Sequence, residues 1–557
     1  MNRLLTRHHR SIFYFCWLLL SLWQAAYTEL QDDEAYYWVY SLFPTWGYFD
    51  HPPLTAIIIK AGYSFFQNEM GIRLVPLLMK QGTILLMEKL TGRERPYLFY
   101  TIILSLAIMQ IAGFMAAPDI PLIFFTAVFF WVYKKFLHSS SFGYAILLGL
   151  VMSALMYSKY HGVVIIFFTF LSNPKLLFRP GFLLAVGIAT LCFLPHLYWQ
   201  YQHDYVSFKY HLIESNVNQY KFSYTTEYIG GQILMAGPIA GLILIPAALL
   251  YRNQQKDKWT RALQFTLAGF YIFFFISSFR GRVEANWTAP VLVPLVILAY
   301  YFIKERSNWE RILFITLPFS LLIVIFLRIA MVVDILPLET MKERFHSWKH
   351  WPEKMKQETG GLPVIWNNSY QRASKYWFYT GQTTHSLNWY QGRKNNYNYW
   401  PVETRLLEKP VYNLDIYNTE RFPNTMNTRI GIIGYRYDTS FVSFSTIQFI
   451  TEERSIISSA GKELEIHAFL KMDPLHKVAL QKMKQENFSM RLGIFQNNKW
   501  VKDILLNITP SQLANTQNVL IRTPHNLDKG NYYLRIALQS GEYPASHNSE
   551  KISLEVK

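Results

Sequence analysis

Cysteine is nearly absent from this sequence: its 557 residues include only Cys16 and Cys192, and both lie inside apolar runs. Two such residues cannot form a disulfide framework or a thiolate metal cluster, so a small disulfide-stapled scaffold and a zinc finger are excluded. Charge is also scarce, because only 16% of residues are Asp, Glu, Lys or Arg. The sequence has no internal repeat and no low-complexity segment. A disordered tail is excluded as well.

Apolar residues are abundant instead. Hydrophobic residues make up 51% of the chain and aromatic residues 17%. The formal net charge of +17 raises the question of nucleic acid, but no nucleic-acid-binding module needs this aromatic content. The composition is typical of a membrane protein. Because the mean hydropathy is only +0.08, we expect a membrane part joined to a water-soluble part.

Eleven runs before residue 334 are candidates for membrane helices, which need roughly 20 apolar residues to cross about 30 Å of hydrocarbon. They are residues 11–28, 72–90, 97–116, 119–137, 142–157, 159–172, 181–199, 230–251, 262–279, 287–303 and 309–332. The runs 142–157 and 159–172 are short, and they suit either one bent helix or two short ones.

Charge favours counting that pair as two spans. With eleven spans and a cytoplasmic N-terminus, the inner segments hold 16 Lys and Arg against 4 acidic residues, and the outer segments hold 6 against 11. The positive-inside rule requires this asymmetry. The first run also resembles a cleaved signal peptide, since Arg3, Arg7 and Arg10 precede it. We favour a retained helix, because the strongest chemical motif follows it directly.

The chain changes character after residue 333. Residues 334–557 hold 28 Lys and Arg and 21 acidic residues, without an apolar run of spanning length. Alternating stretches such as RIGIIGY and KISLEV predict strands. We therefore predict a transmembrane domain over 1–333 and an extracytoplasmic soluble domain over 334–557. Within the latter we expect an α/β layer at about 362–455 and a β-rich sandwich at about 456–557.

The strongest chemical motif lies in the first predicted outer loop. Asp32, Asp33 and Glu34 are followed by AYYWVY and then by YFDHPP. Three adjacent carboxylates near a membrane must face water, a cation or a polar substrate, and an ordinary solvated loop is the alternative. The aromatic residues favour an amphipathic helix in the membrane interface, with a wall suited to a sugar or a lipid headgroup. The apolar segment LTAIIIKAGYSFF comes next and is too short to span.

Three further boundaries on the same predicted side carry polar groups. Asp119 lies in APDIP, where it suits a helix N-cap, a functional carboxylate, or both. Lys159 lies in SKYHG and is either a snorkelling lysine or one of the few outer cations. Arg282 and Asn286 lie in RGRVEANW, which suits a phosphate or ordinary lipid headgroups. Carboxylates and cations at one surface suit a reaction in which an acidic group activates a hydroxyl while cations stabilise a departing phosphate.

The motifs DEAYYW, YFDHPP, APDIP, SKYHG and EANW resemble the bacterial branch of the GT-C glycosyltransferases. That branch is related to the protein O-mannosyltransferases of glycosyltransferase family 39 and to the lipid A aminoarabinose transferase. The resemblance covers about residues 10–330, and a weaker likeness in the C-terminal domain rests on YQRAS. It implies a polytopic GT-C fold and inverting transfer of a hexosyl or pentosyl group from a polyprenyl-phosphate donor to a hydroxyl of an envelope glycan, lipid or protein.

The resemblance also implies residue roles. Asp33 is the candidate general base, Glu34 belongs to the same motif, and Asp119 matches a second acidic position. Because Asp32 precedes the pair, this register holds only if Glu34 is its second member. The candidates for binding the donor phosphate or substrate are Lys159, His51, Arg282, Asn286, Tyr37 and Tyr160.

The resemblance implies a bacterial inner-membrane location and no required cofactor, although clustered carboxylates also suit a hard ion such as Mg²⁺ or Mn²⁺. The sugar and the acceptor stay open. The competing interpretation is a polytopic transporter or flippase of a lipid-linked or envelope substrate, in which acidic residues couple ions. Transporters place such groups near the bilayer midplane, whereas the predicted charges here lie at the outer helix ends.

Overall fold

The computed structural model describes residues 2–139, 141–214 and 220–557, in two compact units, Met1–His346 and Ser347–Lys557. The sequence-based domain boundary at 333/334 falls between α16 and α17 of the first unit. The α-helices of that unit are α1 Asn2–Tyr27, α2 Asp32–Leu42, α3 Leu54–Tyr63, α4 Glu69–Leu90, α5 Pro96–Ser105, α6 Ala107–Ile111, α7 Asp119–His138, α8 Phe142–Ser158, α9 Gly162–Leu171, α10 Pro180–Gln202, α11 Val206–Lys209, α12 Phe222–Ala236, α13 Gly241–Leu250, α14 Lys258–Ser277, α15 Leu292–Ile303, α16 Ser307–Val332 and α17 Glu339–Phe345.

Length and composition allow six helices among the described residues to cross a membrane: α4, α7, α10, α14, the continuous segment Ala285–Ile303 and α16. The pair α12 and α13 makes a seventh if it is one span, but the pair is bent by 95°. The chain therefore has the predicted polytopic helical class. The count of eleven is not reached on this criterion, because several predicted runs form apolar helices of only 10 to 17 residues.

Two of the predicted runs are interrupted. Residues 97–116 break at Leu106, where the backbone is extended, and only the single turn α6 follows. Residues 230–251 contain the bend between α12 and α13 at Gly237. Gly237 has a φ of +114°, and a Cβ there would lie 2.4 Å from the Ser105 carbonyl oxygen, so only glycine fits this turn. By contrast, the two short runs that meet at residue 158 are separate helices, as predicted.

Helix α2 does not lie in the membrane interface with one face exposed, as its aromatic residues predicted. Every residue from Glu34 to Ser41 is buried within the protein. Since aromatic side chains bury large areas and pack well against one another, the same residues serve equally well as core. Tyr40 and Tyr48, for example, stack with their ring centroids 4.1 Å apart.

A large apolar core of the first unit includes the buried side chains of α15. A smaller, separate cluster contains Ala25, Leu77, Phe114, Met331 and Phe345. Of the twelve residues of α15, only Tyr301 is not buried. A helix that is apolar on all sides is expected to be enclosed by others. The short 3-10 segment Ala285–Val291 leads directly into α15, so the polar turn before it is held by a rigid element.

The second unit contains three β-sheets and five α-helices. The strands are β1 Val364–Asn367, β2 Thr384–Leu387, β3 Val411–Asp415, β4 Asn424–Thr428, β5 Gly431–Asp438, β6 Gln448–Thr451, β7 Ser455–Ser458, β8 Glu463–Lys471, β9 Phe488–Gln496, β10 Lys499–Leu506, β11 Asn518–Pro524, β12 Gly530–Ser540, β13 Ser546–His547 and β14 Ile552–Val556. The helices are α18 Trp351–Glu358, α19 Tyr370–Thr380, α20 Val402–Leu406, α21 Pro474–Lys482 and α22 Pro510–Asn515.

The first sheet has the order β2-β1-β3-β5-β4, with β1 parallel to both β2 and β3 and with α19 connecting β1 to β2. The later strands form a sheet β10-β9-β12-β14-β7, to which β13 adds, and a sheet β11-β8-β6. Strand β8 buries every second residue, and its buried face shares a core with β9 and β12. The second half of this unit is therefore two sheets packed around one core.

Candidate functional site

Asp119 begins α7, directly after Pro118. The sequence suggested a helix N-cap, but the N-cap residue is Pro118 and no side chain caps this helix end. The carboxylate of Asp119 instead accepts two hydrogen bonds from other parts of the chain. Oδ1 lies 2.8 Å from Lys159 Nζ, and Oδ2 lies 2.9 Å from Asn286 Nδ2. Three residues from three separate sequence motifs therefore meet at one carboxylate.

Lys159 reaches Asp119 because α8 ends at Ser158 and the backbone becomes extended at Lys159. The lysine is buried, with 5% of its surface exposed, so it does not snorkel to a helix end. The same turn places the His161 ring 5.8 Å from the Trp287 ring, next to Asn286. The ring contact joins this turn directly to the turn before α15, and Asp119 links Lys159 to Asn286 by accepting from both.

Glu34 lies at the first turn of α2 and is buried, with 2% of its surface exposed. Arg73 of α4 binds it through two nitrogens, with Nε to Oε1 at 2.8 Å and Nη2 to Oε2 at 2.6 Å. The backbone N–H of Ala116 donates to Oε1 at 2.8 Å, and that of Gln31 donates to Oε2 at 3.0 Å. Glu34 is therefore enclosed and hydrogen-bonded on both oxygens, and its catalytic assignment is not supported by this geometry.

This enclosed pair joins two candidate motifs. Glu34 follows Asp33 in the chain, and Ala116 precedes the Ala117-Pro118-Asp119 turn. The Glu34 to Ala116 bond therefore ties the start of α2 to the start of α7. Asp33 itself is exposed, unlike Glu34. The structure thus places an exposed carboxylate and the Asp119 cluster on two helix starts that are fastened to each other.

The YFDHPP motif contributes a second group of polar residues. Asp50 is buried and accepts hydrogen bonds at 3.3 Å from the hydroxyls of Tyr36 and Tyr40. The Asp50 carbonyl oxygen accepts from His211 Nε2 at 2.9 Å. The predicted binding residue His51 lies beside another, Tyr37, with ring centroids 5.6 Å apart.

Tyr160 connects this group to the Lys159 turn. Its hydroxyl lies 3.2 Å from His196 Nε2 and accepts from Gln200 Nε2 at 3.0 Å, and its ring lies 5.6 Å from the His211 ring. Consecutive residues therefore face the two groups: Lys159 contacts Asp119, and Tyr160 contacts the histidines.

Arg282 is not part of either group. Its Nε lies 3.2 Å from Glu227 Oε2 and 3.7 Å from Glu284 Oε1, and all three side chains are exposed. Of the two residues predicted from this motif, Asn286 reaches Asp119, and the role of Arg282 in binding the donor phosphate or substrate stays a prediction.

Sequence reasoning missed several of these partners. Arg73 lies inside a predicted span, and a charge within an apolar helix signals a specific partner. Asp50 lies in a motif that was recognised, but it was not selected as a site residue. His196 and His211 offered no signal of this kind, because single histidines in and after an apolar helix match no spacing pattern.

Among the described residues, the group with spacing suitable for a metal ion is Glu452, Glu453 and His467 in the second unit. Their ligand atoms lie within 4.8 Å of one another. Asp33, Glu34 and Asp119 are not part of such a group, and whether catalysis needs a metal stays a prediction.

Comparison with solved structures shows the fold of this chain. ArnT from Cupriavidus metallidurans bound to undecaprenyl phosphate matches with a TM-score of 0.59 at 13% identity, covering 76% of this chain and 97% of ArnT. The apo state of the same protein matches with a TM-score of 0.60 at 13% identity, covering 77% and 98%. The chain therefore has the polytopic membrane fold of ArnT.

Two sequence matches agree with that fold. Residues 50–199 match the family model described as dolichyl-phosphate-mannose-protein mannosyltransferase. The lipid A galacturonosyltransferase RgtD of Rhizobium johnstonii is 23% identical over 302 residues, which are 51% of this chain. The match spans 62% of the length of RgtD. The resemblance to the bacterial GT-C glycosyltransferases that the motifs indicated is thereby confirmed.

Proposed function

We propose that this protein is an integral-membrane glycosyltransferase that moves a sugar from a polyprenyl-phosphate donor to a hydroxyl of an envelope acceptor. RgtD is by name a lipid A glycosyltransferase, and ArnT was crystallised with undecaprenyl phosphate. By analogy, we propose an undecaprenyl-type donor, an acceptor of the lipid A class, and an active site at the extracytoplasmic face of a bacterial inner membrane.

The observation that carries this proposal is the convergence on Asp119. Lys159 and Asn286 come from different turns, yet both contact the Asp119 carboxylate at 2.8 to 2.9 Å. Unlike Glu34, whose side chain is 3% exposed, Asp119 is bonded to two side chains from different turns and its own side chain is 14% exposed. Such an arrangement fixes the position of the ammonium group, and a positioned cation is what a departing phosphate needs.

Asp33 is the proposed general base. The acceptor oxygen attacks the anomeric carbon, the bond from that carbon to the phosphate oxygen breaks, and the hydroxyl proton passes to the Asp33 carboxylate. The products are the glycosylated acceptor and the polyprenyl phosphate, which carries away the electron pair. A single displacement inverts the configuration at the anomeric carbon.

Lys159 is proposed to hold the donor phosphate. An ammonium group has three N–H donors, and one of them points to Asp119. The others are suited to phosphate oxygens. Glu34 takes a structural role in this scheme, since its buried pair with Arg73 fastens the helix start that carries Asp33.

The test is sugar transfer by the purified full-length protein, with polyprenyl-phosphate-linked sugars as donors and lipid A in vesicles as acceptor. We expect Lys159→Met to lower the transfer rate about 100-fold, which is typical when a group that stabilises the charge developing in the transition state is removed. Lys221→Met is the matched control, because Lys221 is an exposed lysine at the start of α12. Equal loss in both variants would remove the proposed role of Lys159.

The transporter interpretation gives a different outcome in sealed vesicles. The bend of 95° between α12 and α13 is the type of broken helix that transporters use for substrate sites. A transporter moves its substrate across the vesicle membrane without any acceptor, whereas the proposed transferase leaves the donor unchanged until an acceptor is added.

A further inference from the structure

Two cations are buried in the first unit and take no part in the candidate site. Lys80 lies in the middle of α4 and has 2% of its surface exposed. Arg328 lies near the end of α16 and has 3% exposed. Both lie against the same turn of α1, because Lys80 Nζ donates to Ser21 Oγ and the Arg328 carbonyl oxygen accepts from Gln24 Nε2.

Their hydrogen bonds are incomplete. Arg328 Nη2 donates to the Gln110 carbonyl oxygen at 2.5 Å, but its Nε and Nη1 are buried without a hydrogen-bond partner. Lys80 Nζ donates to Ser21 Oγ at 3.2 Å and lies 5.0 Å from the Trp17 ring. Neither cation forms an ion pair with any carboxylate in the part of the chain that the structure describes.

The neighbouring Arg73 shows how this protein otherwise treats a buried cation. Arg73 lies on the same helix as Lys80, and its Nε, Nη1 and Nη2 all have oxygen partners. Its charge is balanced by Glu34. An isolated buried charge with orphaned donors is strongly unfavourable, so the pair formed by Lys80 and Arg328 lacks an anion.

The surroundings fit a ligand that arrives from the membrane. Gln24 Nε2 donates to the Arg328 carbonyl oxygen at 3.3 Å, which places the last turn of α1 beside the last turn of α16. Arg328 lies four residues before the end of α16, or about 6 Å along the helix axis. Helix α16 is only 22% buried, so most of its surface is open to lipid.

The local packing also leaves room for the Lys80 side chain. A Cβ at Gly113 would lie 3.0 Å from Lys80 Cδ and 3.1 Å from its Cε. Glycine at 113 therefore lets the lysine stem pass close to the backbone there. The orphaned nitrogens of an arginine next to a lysine ammonium are the combination that recognises a phosphate group.

We propose that the space between α1, α4, α6 and α16 binds the phosphate headgroup of a membrane lipid, at a site separate from the Asp119 cluster. Arg328 Nε and Nη1 donate to the phosphate oxygens, and Lys80 supplies a second positive charge. The inference does not depend on the proposed transferase activity. A polyprenyl phosphate and an ordinary anionic phospholipid carry the same phosphate chemistry, so the experiment has an arm for each.

The test uses the full-length protein in dodecylmaltoside, titrated with dioleoyl phosphatidylglycerol or with undecaprenyl phosphate, and native mass spectrometry to count the retained lipid. We expect Arg328→Gln and Lys80→Met each to weaken retention about tenfold, as for loss of hydrogen bonds to a charged group. Arg311→Gln is the matched control, since Arg311 is an exposed arginine at the other end of α16. We expect it to retain lipid like the wild type.

The outcomes separate the sources of phosphate. Weaker retention of phosphatidylglycerol in the two variants assigns the site to phospholipid, and weaker retention of undecaprenyl phosphate alone assigns it to a polyprenyl lipid. If a variant folds poorly, a second measurement is the rise in melting temperature of the wild type when each lipid is added. We expect Arg328→Lys, which keeps the positive charge, to show part of this rise. The proposal is overturned if the two variants retain each lipid as well as the wild type does, which is the result expected if only water lies beside the two cations.

Discussion

Glu34 and Asp119 are both carboxylates at helix starts, and both were selected from the sequence for the same reason. In the structure they differ. Glu34 is enclosed, and its oxygens are occupied by Arg73 and two backbone N–H groups. The Asp119 side chain is 14% exposed and is bonded to the side chains of Lys159 and Asn286.

This difference shows that a carboxylate motif beside a membrane contains two kinds of residue. One kind stabilises the helix packing, and the other arranges a cation for a substrate. A buried pair of charges leaves an uncompensated charge when one partner is removed, whereas a partly exposed pair is screened by solvent. Mutation should therefore separate Glu34 and Asp119 by stability and by activity.

The largest expected effect is on the stability of Glu34→Gln. Removing this charge leaves Arg73 buried without its carboxylate, and we expect the free energy of unfolding to fall by about 3–5 kcal/mol. Asp119→Asn should lower it by less, about 1–2 kcal/mol, because Lys159 is buried but the Asp119 side chain is 14% exposed. Sodium dodecyl sulfate titration of the protein in mixed micelles measures both values.

The double variant Glu34→Gln with Arg73→Met sharpens this result. Because the two side chains act as one unit, their effects should be less than additive. A Glu34→Gln protein as stable as Asp119→Asn would contradict the assignment of Glu34 to a structural pair.

The next largest expected effect is on the activity of Lys159→Met, without a loss of stability comparable to that of Glu34→Gln. Lys159→Met should lower the sugar-transfer rate about 100-fold, because the cation that Asp119 positions is gone. Its melting temperature in detergent should stay close to that of Asp119→Asn. A Lys159→Met protein that transfers sugar at the wild-type rate would place Lys159 among the structural residues.

A third carboxylate, the buried Glu403 of the second unit, extends the comparison to a pH dependence. Burial acts to raise the pKa of Glu403, but the His476 ring and several hydrogen bonds hold that pKa below its ordinary value. Its oxygens accept from the backbone N–H groups of Ser445 and Thr446 at 2.7 and 2.8 Å. The ionised form is thus the one that stabilises the fold.

Since the folded pKa is lowered, this stabilisation is present above the ordinary pKa of glutamate and is lost as the pH falls through the folded value. We expect Glu403→Gln to lower stability by about 2 kcal/mol at pH 7. The difference in melting temperature between the wild type and the variant should narrow as the pH drops below about 4.3. A difference that is constant from pH 7 to pH 3 would contradict this account.

The smallest effect is expected for Arg282→Gln. Its ion pairs with Glu227 and Glu284 are exposed, so their removal should change stability by less than about 1 kcal/mol. If Arg282 meets the donor phosphate only when substrate is bound, KM for the donor rises while kcat changes little. Unchanged KM and kcat would remove Arg282 from the binding candidates.

Much of the fold class was predictable from the sequence. Apolar runs of about 20 residues and alternating strands follow from local patterns, and they located the membrane helices and the sheets. The breaks at Leu106 and Gly237 were not predictable, because they depend on contacts with distant residues such as Ser105 against Gly237. The burial of α2 was missed for the same reason, since core and interface use the same aromatic residues.

The candidate site was predictable as a set of motifs but not as a geometry. The helix-boundary motifs and the family resemblance selected Asp119, Lys159 and Asn286, and the structure brings these three together. The sequence could not reveal that the Glu34 carboxylate is bonded to Arg73, because Arg73 lies 39 residues away in the chain. Spacing rules describe partners on one helix, whereas these partners lie on different helices.

The measurement that tests the central claim most directly is sugar transfer by Asp33→Asn beside the wild type. The purified full-length proteins are supplied with a polyprenyl-phosphate-linked sugar and lipid A vesicles, and Asp204→Asn serves as the control because Asp204 is an exposed carboxylate of the same unit. We expect the wild type and Asp204→Asn to release polyprenyl phosphate and glycosylated acceptor at similar rates, and Asp33→Asn, with an unchanged melting temperature, to be slower by about 100-fold or more. Transfer by Asp33→Asn at the wild-type rate, or no acceptor-dependent release by the wild type with any donor, would contradict the account.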